Sequence, residues 1–228
     1  MTTSGTFAFT LDITDIIEDA YERIGVEARS GYDYRTARRS LDMLLLEWQN
    51  RGLNLWTIKQ ADQALTAGVG QYTLSGEKLD IVEAVARSGS GIDQSDLRLE
   101  RISVSQYANY VNKNTRSTRP TQYWLDRQPE GVTLNLWPVP EDSSHTLHYW
   151  YMEQIEDTGK PGSNTVDVPS RFIPALVAGL AYNLALKTPS SFQSAPILKD
   201  VYEEQWTLAS DSAREKASLW LKPSTVYS

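Results

Sequence analysis

Residues 31 to 55 carry the most constraining pattern in the sequence. Ala37, Leu41, Leu44, Leu45 and Trp48 fall at i, i+4, i+7, i+8 and i+11. That is one face of a 3.6-residue period, and it predicts one long amphipathic helix. Gly52, free to take the left-handed conformation, stops it. After it the pattern changes to strand-like alternation for about a hundred residues, and helical spacing returns only near Pro174. A chain built this way has helices at both ends and a β region between them.

Before the long helix, Phe7 and Phe9 suit a short strand at a frayed terminus. Asp12 is the expected N-cap of a first helix, followed by the apolar stripe Ile13, Ile16, Ile17, Ala20 and Ile24, with Gly25 as its end. The two helices read as a hairpin. In the middle region, residues 55–66 and 71–75 are predicted as a β-hairpin around Gly68-Val69-Gly70. Further strands are expected at 81–87, 97–102, 122–127, 132–137 and 146–153. Ser103 caps a short helix. Val132, Leu134 and Leu136 alternate with Thr133, Asn135 and Trp137, and Leu147, Tyr149 and Tyr151 with their neighbours. Short strands at this spacing indicate an antiparallel sandwich or barrel-like module. Residues 155–168 read as a linker. A helix follows with stripe Leu176, Val177, Leu180 and Leu184, ended by Thr188-Pro189. A last helix from Pro196 to Leu219 is expected to bury Ile197, Val201, Leu208 and Ala209.

The expected fold class is α+β, a four-helix bundle built from both chain ends around an inserted β module. The expected parts are 1–54 (helical hairpin), 55–155 (β insertion), 156–219 (returning helices) and 220–228 (tail).

Chemistry is constrained mostly by what is missing. There is no cysteine among the 228 residues, which excludes disulfides, thiolate metal sites and a cysteine nucleophile. His145 and His148 sit on opposite faces of one strand with no completing ligand set, and read as surface or interface residues. Ser88-Gly89-Ser90-Gly91 lacks the lysine and the spacing of a phosphate loop, and no nucleophile elbow occurs. The expectation is no catalytic residue, no metal and no cofactor. There is no apolar run long enough for a membrane span, and residues 1–10 lack the features of a secretory signal. Net charge is −7, with −3 in residues 54–155 and −4 in the remainder, so the acid is spread. No basic stripe for nucleic acid exists.

Four features remain as candidates for function. Asp15, Glu18, Asp19 and Glu22 share one side of the first helix. They suit a solvated face, a surface toward a channel or charged neighbour, or a carboxylate pair for hydrolysis. Arg35, Arg38 and Arg39 form a basic spot within reach of Asp42, so local ion pairs compete with contacts to a neighbouring subunit. Trp124, Trp137, Tyr149, Trp150 and Tyr151 crowd the β region. They fit either a core or a platform for sugars or a protein partner. The segment with Trp220, Leu221, Pro223, Val226 and Tyr227 suits a frayed end or a docking strand.

The order of these features resembles the head-to-tail adaptor proteins of short-tailed bacteriophages, the group of tail accessory factor and tubular-tail-type adaptors. The resemblance is carried by Ala20-Tyr21-Glu22-Arg23-Ile24-Gly25-Val26, by Ala37 with Leu41-Asp42-Met43-Leu44-Leu45-Leu46-Glu47-Trp48, and by Gly52-Leu53-Asn54-Leu55-Trp56. It continues through Gly70-Gln71-Tyr72-Thr73-Leu74, Arg119-Pro120-Thr121, Leu125-Asp126-Arg127-Gln128 and Leu136-Trp137-Pro138-Val139-Pro140. Leu180-Ala181-Tyr182 and Ala213-Arg214-Glu215 complete it. The resemblance implies a virion structural protein made in the host cytoplasm. It implies a homo-oligomeric ring, usually of twelve copies, joined to the portal protein and offering a surface to the tail nozzle or hub. It implies that DNA passes through the lumen without specific binding. It further implies portal docking by the C-terminal segment, here Trp220, Leu221, Pro223, Val226 and Tyr227. A carbohydrate-binding module on a helical stalk is the alternative from a different class, and a hydrolase using Glu18 or Glu22 is the third.

Overall fold

The computed structural model describes residues 9, 11–28, 30–52, 56–128, 131–159 and 165–213. The fold is α+β. In chain order the elements begin with helices α1 (Ile13–Arg23) and α2 (Gly31–Asn50). Strands follow as β1 (Ile58–Ala64), β2 (Gln71–Thr73), β3 (Lys78–Ser88), β4 (Ser95–Arg98) and β5 (Glu100–Arg101), and then the short helix α3 (Val104–Ala108). Next come β6 (Arg116–Ser117), β7 (Gln122–Gln128), β8 (Gly131–Trp137), β9 (Val139–Pro140) and β10 (Thr146–Glu153). Helices α4 (Ile173–Ala185) and α5 (Ala195–Ala213) close the described chain. It divides into two compact units. Met1–Leu55 with Glu156–Ser228 makes one, and Trp56–Ile155 the other.

In the helical unit the local signals set the helix ends. The Asp12 side chain accepts the Thr14 N–H, and Gly25 turns the chain at φ +71°. Ser30 and Asp33 form a capping box at the start of α2, and Gly52 ends it at φ +79°. The central element is α4. Apolar almost all round, it buries ten of its thirteen residues and packs against α1, α2 and α5. Gly179 marks the tightest point. A Cβ there would stand 2.9 Å from the Tyr202 ring and 3.0 Å from Leu44 Cδ2. Beside this junction Trp48 is fully buried, donates its indole N–H to Tyr202 Oη at 2.8 Å, and packs on Phe172 and Trp206.

The buried line of α5 differs from the expected one. Ala209 is buried as expected, but Tyr202 and Trp206 face inward with it, whereas Ile197, Val201 and Leu208 are exposed. The aliphatic spacing 197, 201, 208 and the spacing 202, 206, 209 are both helical. Packing chose the larger rings, which fill more volume around Trp48 and bury more apolar area.

The β unit holds two four-stranded sheets, ordered β1-β10-β3-β4 and β2-β8-β7-β5, and a two-stranded pair β6-β9. None closes into a barrel. The two larger sheets share one core, in which Ile81, Leu147 and Tyr149 of the first meet Leu125, Leu134 and Leu136 of the second. The inward residues predicted for β8 and β10 are buried, but Asn135 and His148 from the alternate positions are buried too. Three expectations do not hold. Residues 55–66 and 71–75 are not a hairpin, because β1 pairs with β10 and β2 with β8, in different sheets. The turn between them packs on β9, where Gly68 N–H donates to Pro140 O at 2.8 Å. A turn signal is local and does not say which sheet each arm joins. The 97–102 run is split at buried Leu99, which carries the chain from β4 in one sheet to β5 in the other. Nor is the module purely antiparallel, since β5 pairs parallel to β7 and β6 to β9.

Gly179→Val forces branched carbons into the α4–α2–α5 junction. We expect about 2–3 kcal/mol lower stability, read as a lower urea midpoint with an unchanged m-value.

Candidate functional site

The candidate residues of the helical unit fall into tied and untied groups. On α1, Asp15, Glu18 and Glu22 are exposed to water. Asp19 pairs with Arg23 one turn on at 3.1 Å. Glu18 accepts the Tyr34 hydroxyl at 2.7 Å, linking α1 to α2 and pushing the phenol above its ordinary value. On α2, Arg35 Nε donates to the Gly31 carbonyl at 3.2 Å. Arg38 donates to the carbonyls of Thr158 and Gly159 at 3.1 and 3.2 Å. Asp42 accepts the Thr158 N–H at 3.0 Å. The expected local pairing of Asp42 with Arg38 and Arg39 is therefore replaced. Both side chains clamp the segment after β10, because unpaired backbone groups there compete for them. Arg39 is exposed and has no ion-pair partner among the described residues.

A second clamp was not expected from the sequence. Arg51 forks onto Glu203 at 2.9 and 2.9 Å and onto Glu47 at 2.6 Å, and lies over the rings of Trp206 and Tyr202. Glu47 also accepts the Tyr202 hydroxyl at 3.2 Å. Burial, chiefly, pushes that phenol up, and the Arg51 guanidinium holds the Glu203 carboxyl below its ordinary range. Glu47 four residues before Arg51 was a legible local signal. Glu203, 152 positions away, was not.

In the β unit, Tyr149 and Tyr151 are core residues, whereas Trp124, Trp137 and Trp150 are half-exposed. Trp124 stacks on Tyr107 with centroids 5.2 Å apart, and Trp137 on Tyr110 at 4.1 Å. One face of each indole is thereby covered by a tyrosine in or after α3. His148 is only 7% exposed, and its Nδ1 lies 2.5 Å from Asp62 across the β1–β10 ladder. It is thus a buried cross-strand partner and not a surface residue. Charges on the sheets are mutually paired, as in Arg87–Asp96 at 2.9 Å and Arg98–Glu83 and Arg127–Asp80 at 2.6 Å. Among the described residues no group of three or more His, Asp or Glu could hold a metal ion. No described helix is long and apolar enough to cross a membrane. Trp220, Leu221, Pro223, Val226 and Tyr227 lie outside the described residues.

What this geometry offers among the described residues is paired charges and partly exposed faces in each of the two units. The chain belongs to the SU10 adaptor protein family, whose model matches residues 4–222. That membership agrees with the head-to-tail adaptor resemblance carried by the sequence. No curated protein matches the chain. Among solved structures, a chain from the neck of an empty GTA particle computed with C6 symmetry aligns at 9% identity. The alignment covers 90% of this chain and 92% of that one, with a TM-score of 0.29.

Arg51→Gln removes the fork and the ring contacts of the second clamp. The expected loss is about 1 kcal/mol at pH 7, discounted for half-exposed carboxylates. Because the Glu203 carboxyl is held low in the folded chain, this stabilisation is present above the ordinary carboxylate pKa. It is lost as pH falls through the lowered folded value. Thermal unfolding of parent and variant should therefore differ at pH 7 and converge once the pH falls below the lowered Glu203 value.

Proposed function

We propose that this protein is a structural adaptor of the phage neck, a ring-forming protein that joins the portal to the tail and lines the DNA channel. The observation that carries the reading is family membership over residues 4–222. In this reading the four long helices, from residues 1–54 and 156–219, form a bundle that stands beside its copies around the channel. Residues 55–155 form the second unit, an additional surface for a virion partner. The ring has twelve copies, as the resemblance implies, and the protein is made in the host cytoplasm and carried in the virion. The spread excess of acid, net −7, suits a lumen that repels phosphates and lets DNA slide.

Contacts between copies use the basic spot of α2, Arg35, Arg38 and Arg39, and the acidic face of α1, Asp15, Glu18, Asp19 and Glu22. The tied groups refine their roles. Arg38 reaches a neighbour only by releasing the Thr158 and Gly159 carbonyls, and Asp19 only by releasing Arg23. Arg35 and Arg39 are the better placed donors. The portal is docked by residues 220–228, with Trp220, Leu221, Pro223, Val226 and Tyr227 as the contacting side chains.

Purified chain mixed with its cognate portal ring should give a stoichiometric complex by native mass measurement. A chain ending at Leu219 should keep its unfolding temperature and lose the complex. Absence of a complex with the full chain overturns the adaptor reading. Undiminished binding by the shortened chain overturns the docking role of the tail.

A further inference from the structure

Two faces of the helical unit carry complementary chemistry away from its core. On α2, Tyr32, Arg35, Arg39, Met43 and Leu46 recur at i, i+3, i+7, i+11 and i+14, and all are exposed. At 100° per residue this stripe lies opposite the buried line through Leu41 and Trp48. On α5, Ile197, Asp200, Val201, Glu204 and Leu208 recur at i, i+3, i+4, i+7 and i+11, and are exposed opposite Tyr202, Trp206 and Ala209. Met43, Ile197 and Leu208 are 67%, 69% and 62% exposed. A helix face turned to solvent is ordinarily polar, so apolar side chains repeated along two such faces mark contact surfaces.

The charges among these apolar groups are opposite in sign. The α2 stripe is purely basic and the α5 stripe purely acidic. Arg39, Asp200 and Glu204 have no ion-pair partner among the described residues, in contrast to Arg51, which is bound to two carboxylates. The two stripes do not meet within one chain, because α2 and α5 both turn their inner faces to α4. Neither stripe suits its own copy across a two-fold axis, where base would face base or acid would face acid.

We propose that the α2 stripe of one copy docks on the α5 stripe of a second copy, so that every chain offers one face to each of two neighbours. The pairing rests on the ring assembly proposed above and gives the basic spot of α2 a specific counterpart, the acid of α5 in place of the acidic face of α1. Contacts of this heterologous kind close into rings or continue as filaments. Laid middle to middle in either direction, the stripes bring Arg39 to Glu204. Run antiparallel, they bring Met43 to Val201 and Leu46 to Ile197. Run parallel, they bring Met43 to Leu208, Arg35 to Asp200 and Tyr32 to Ile197.

The chain has no cysteine, so introduced cysteines report contacts without background. Met43→Cys, Val201→Cys and Leu208→Cys would each be oxidised alone and in pairs, with the full chain both concentrated in solution and assembled on its cognate portal ring. Expected is a disulfide-linked dimer only in mixtures, Met43→Cys with Val201→Cys for the antiparallel arrangement or with Leu208→Cys for the parallel one. Arg39→Glu and Glu204→Arg should each weaken association about tenfold or more, with unfolding temperature unchanged, and the chain carrying both reversals should recover it. Efficient linking of Met43→Cys to itself overturns the pairing. So does failure of both mixtures, or a double reversal no better than the single ones. A chain that binds the portal ring without any α2–α5 link loses this pairing and keeps its adaptor role. A chain that links through α2 and α5 yet binds no portal keeps the pairing and loses that role.

Discussion

The helical unit depends on how closely other helices can approach α4. A helix with ten of thirteen residues buried has no solvent face to give up, so its neighbours must come to it on several sides. Glycine at 179 removes the one side chain that would hold Leu44 and Tyr202 apart. Once that approach is made, Trp48 is enclosed with its N–H satisfied by Tyr202, and the aromatic cluster with Phe172 and Trp206 follows. A buried indole without a partner for its N–H would cost about 1–3 kcal/mol. The hydrogen bond and the close approach therefore require each other, and residues far apart in sequence are fixed by one junction.

Electrostatics separates side chains that hold the chain together from those left to face outward. Arg51 and Arg38 lie four turns or fewer apart on the same helix end to middle, yet both are occupied by groups of their own chain. Arg39, next to Arg38 in sequence, is rotated by about 100° and faces water. The same division holds in the β unit, where arginine–carboxylate pairs lie on the sheets and tyrosines cover the tryptophans. A protein that works by offering surfaces is read best from the groups its own fold leaves unmatched.

Much of this was legible locally. Helix ends at Asp12, Gly25 and Gly52 follow from capping and from glycine's access to positive φ, which need no knowledge of the rest of the chain. Strands β7, β8 and β10 follow from period-two alternation against a single core. The errors share one cause. The residues 68–70 turn, the break at Leu99, the choice between two helical stripes on α5, and the partners of Asp42 and His148 all depend on which distant segment arrives. For the candidate site, Arg35 and Arg39 were visible as charges. That Arg38 is held by Thr158, or that α5 presents acid and aliphatics outward, was not.

The sequence by itself determined the helix ends at Asp12, Gly25 and Gly52, that helices flank a β region, and that no thiol chemistry is possible, because these follow from short-range sterics, periodicity and composition. Family membership was likewise written in residue order along nearly the whole chain. Tertiary structure alone decided which sheet each strand joins, which face of α5 is buried, and which charges remain unmatched. Those outcomes turn on volume and on hydrogen-bond satisfaction summed over segments more than a hundred residues apart, and no local pattern contains that sum.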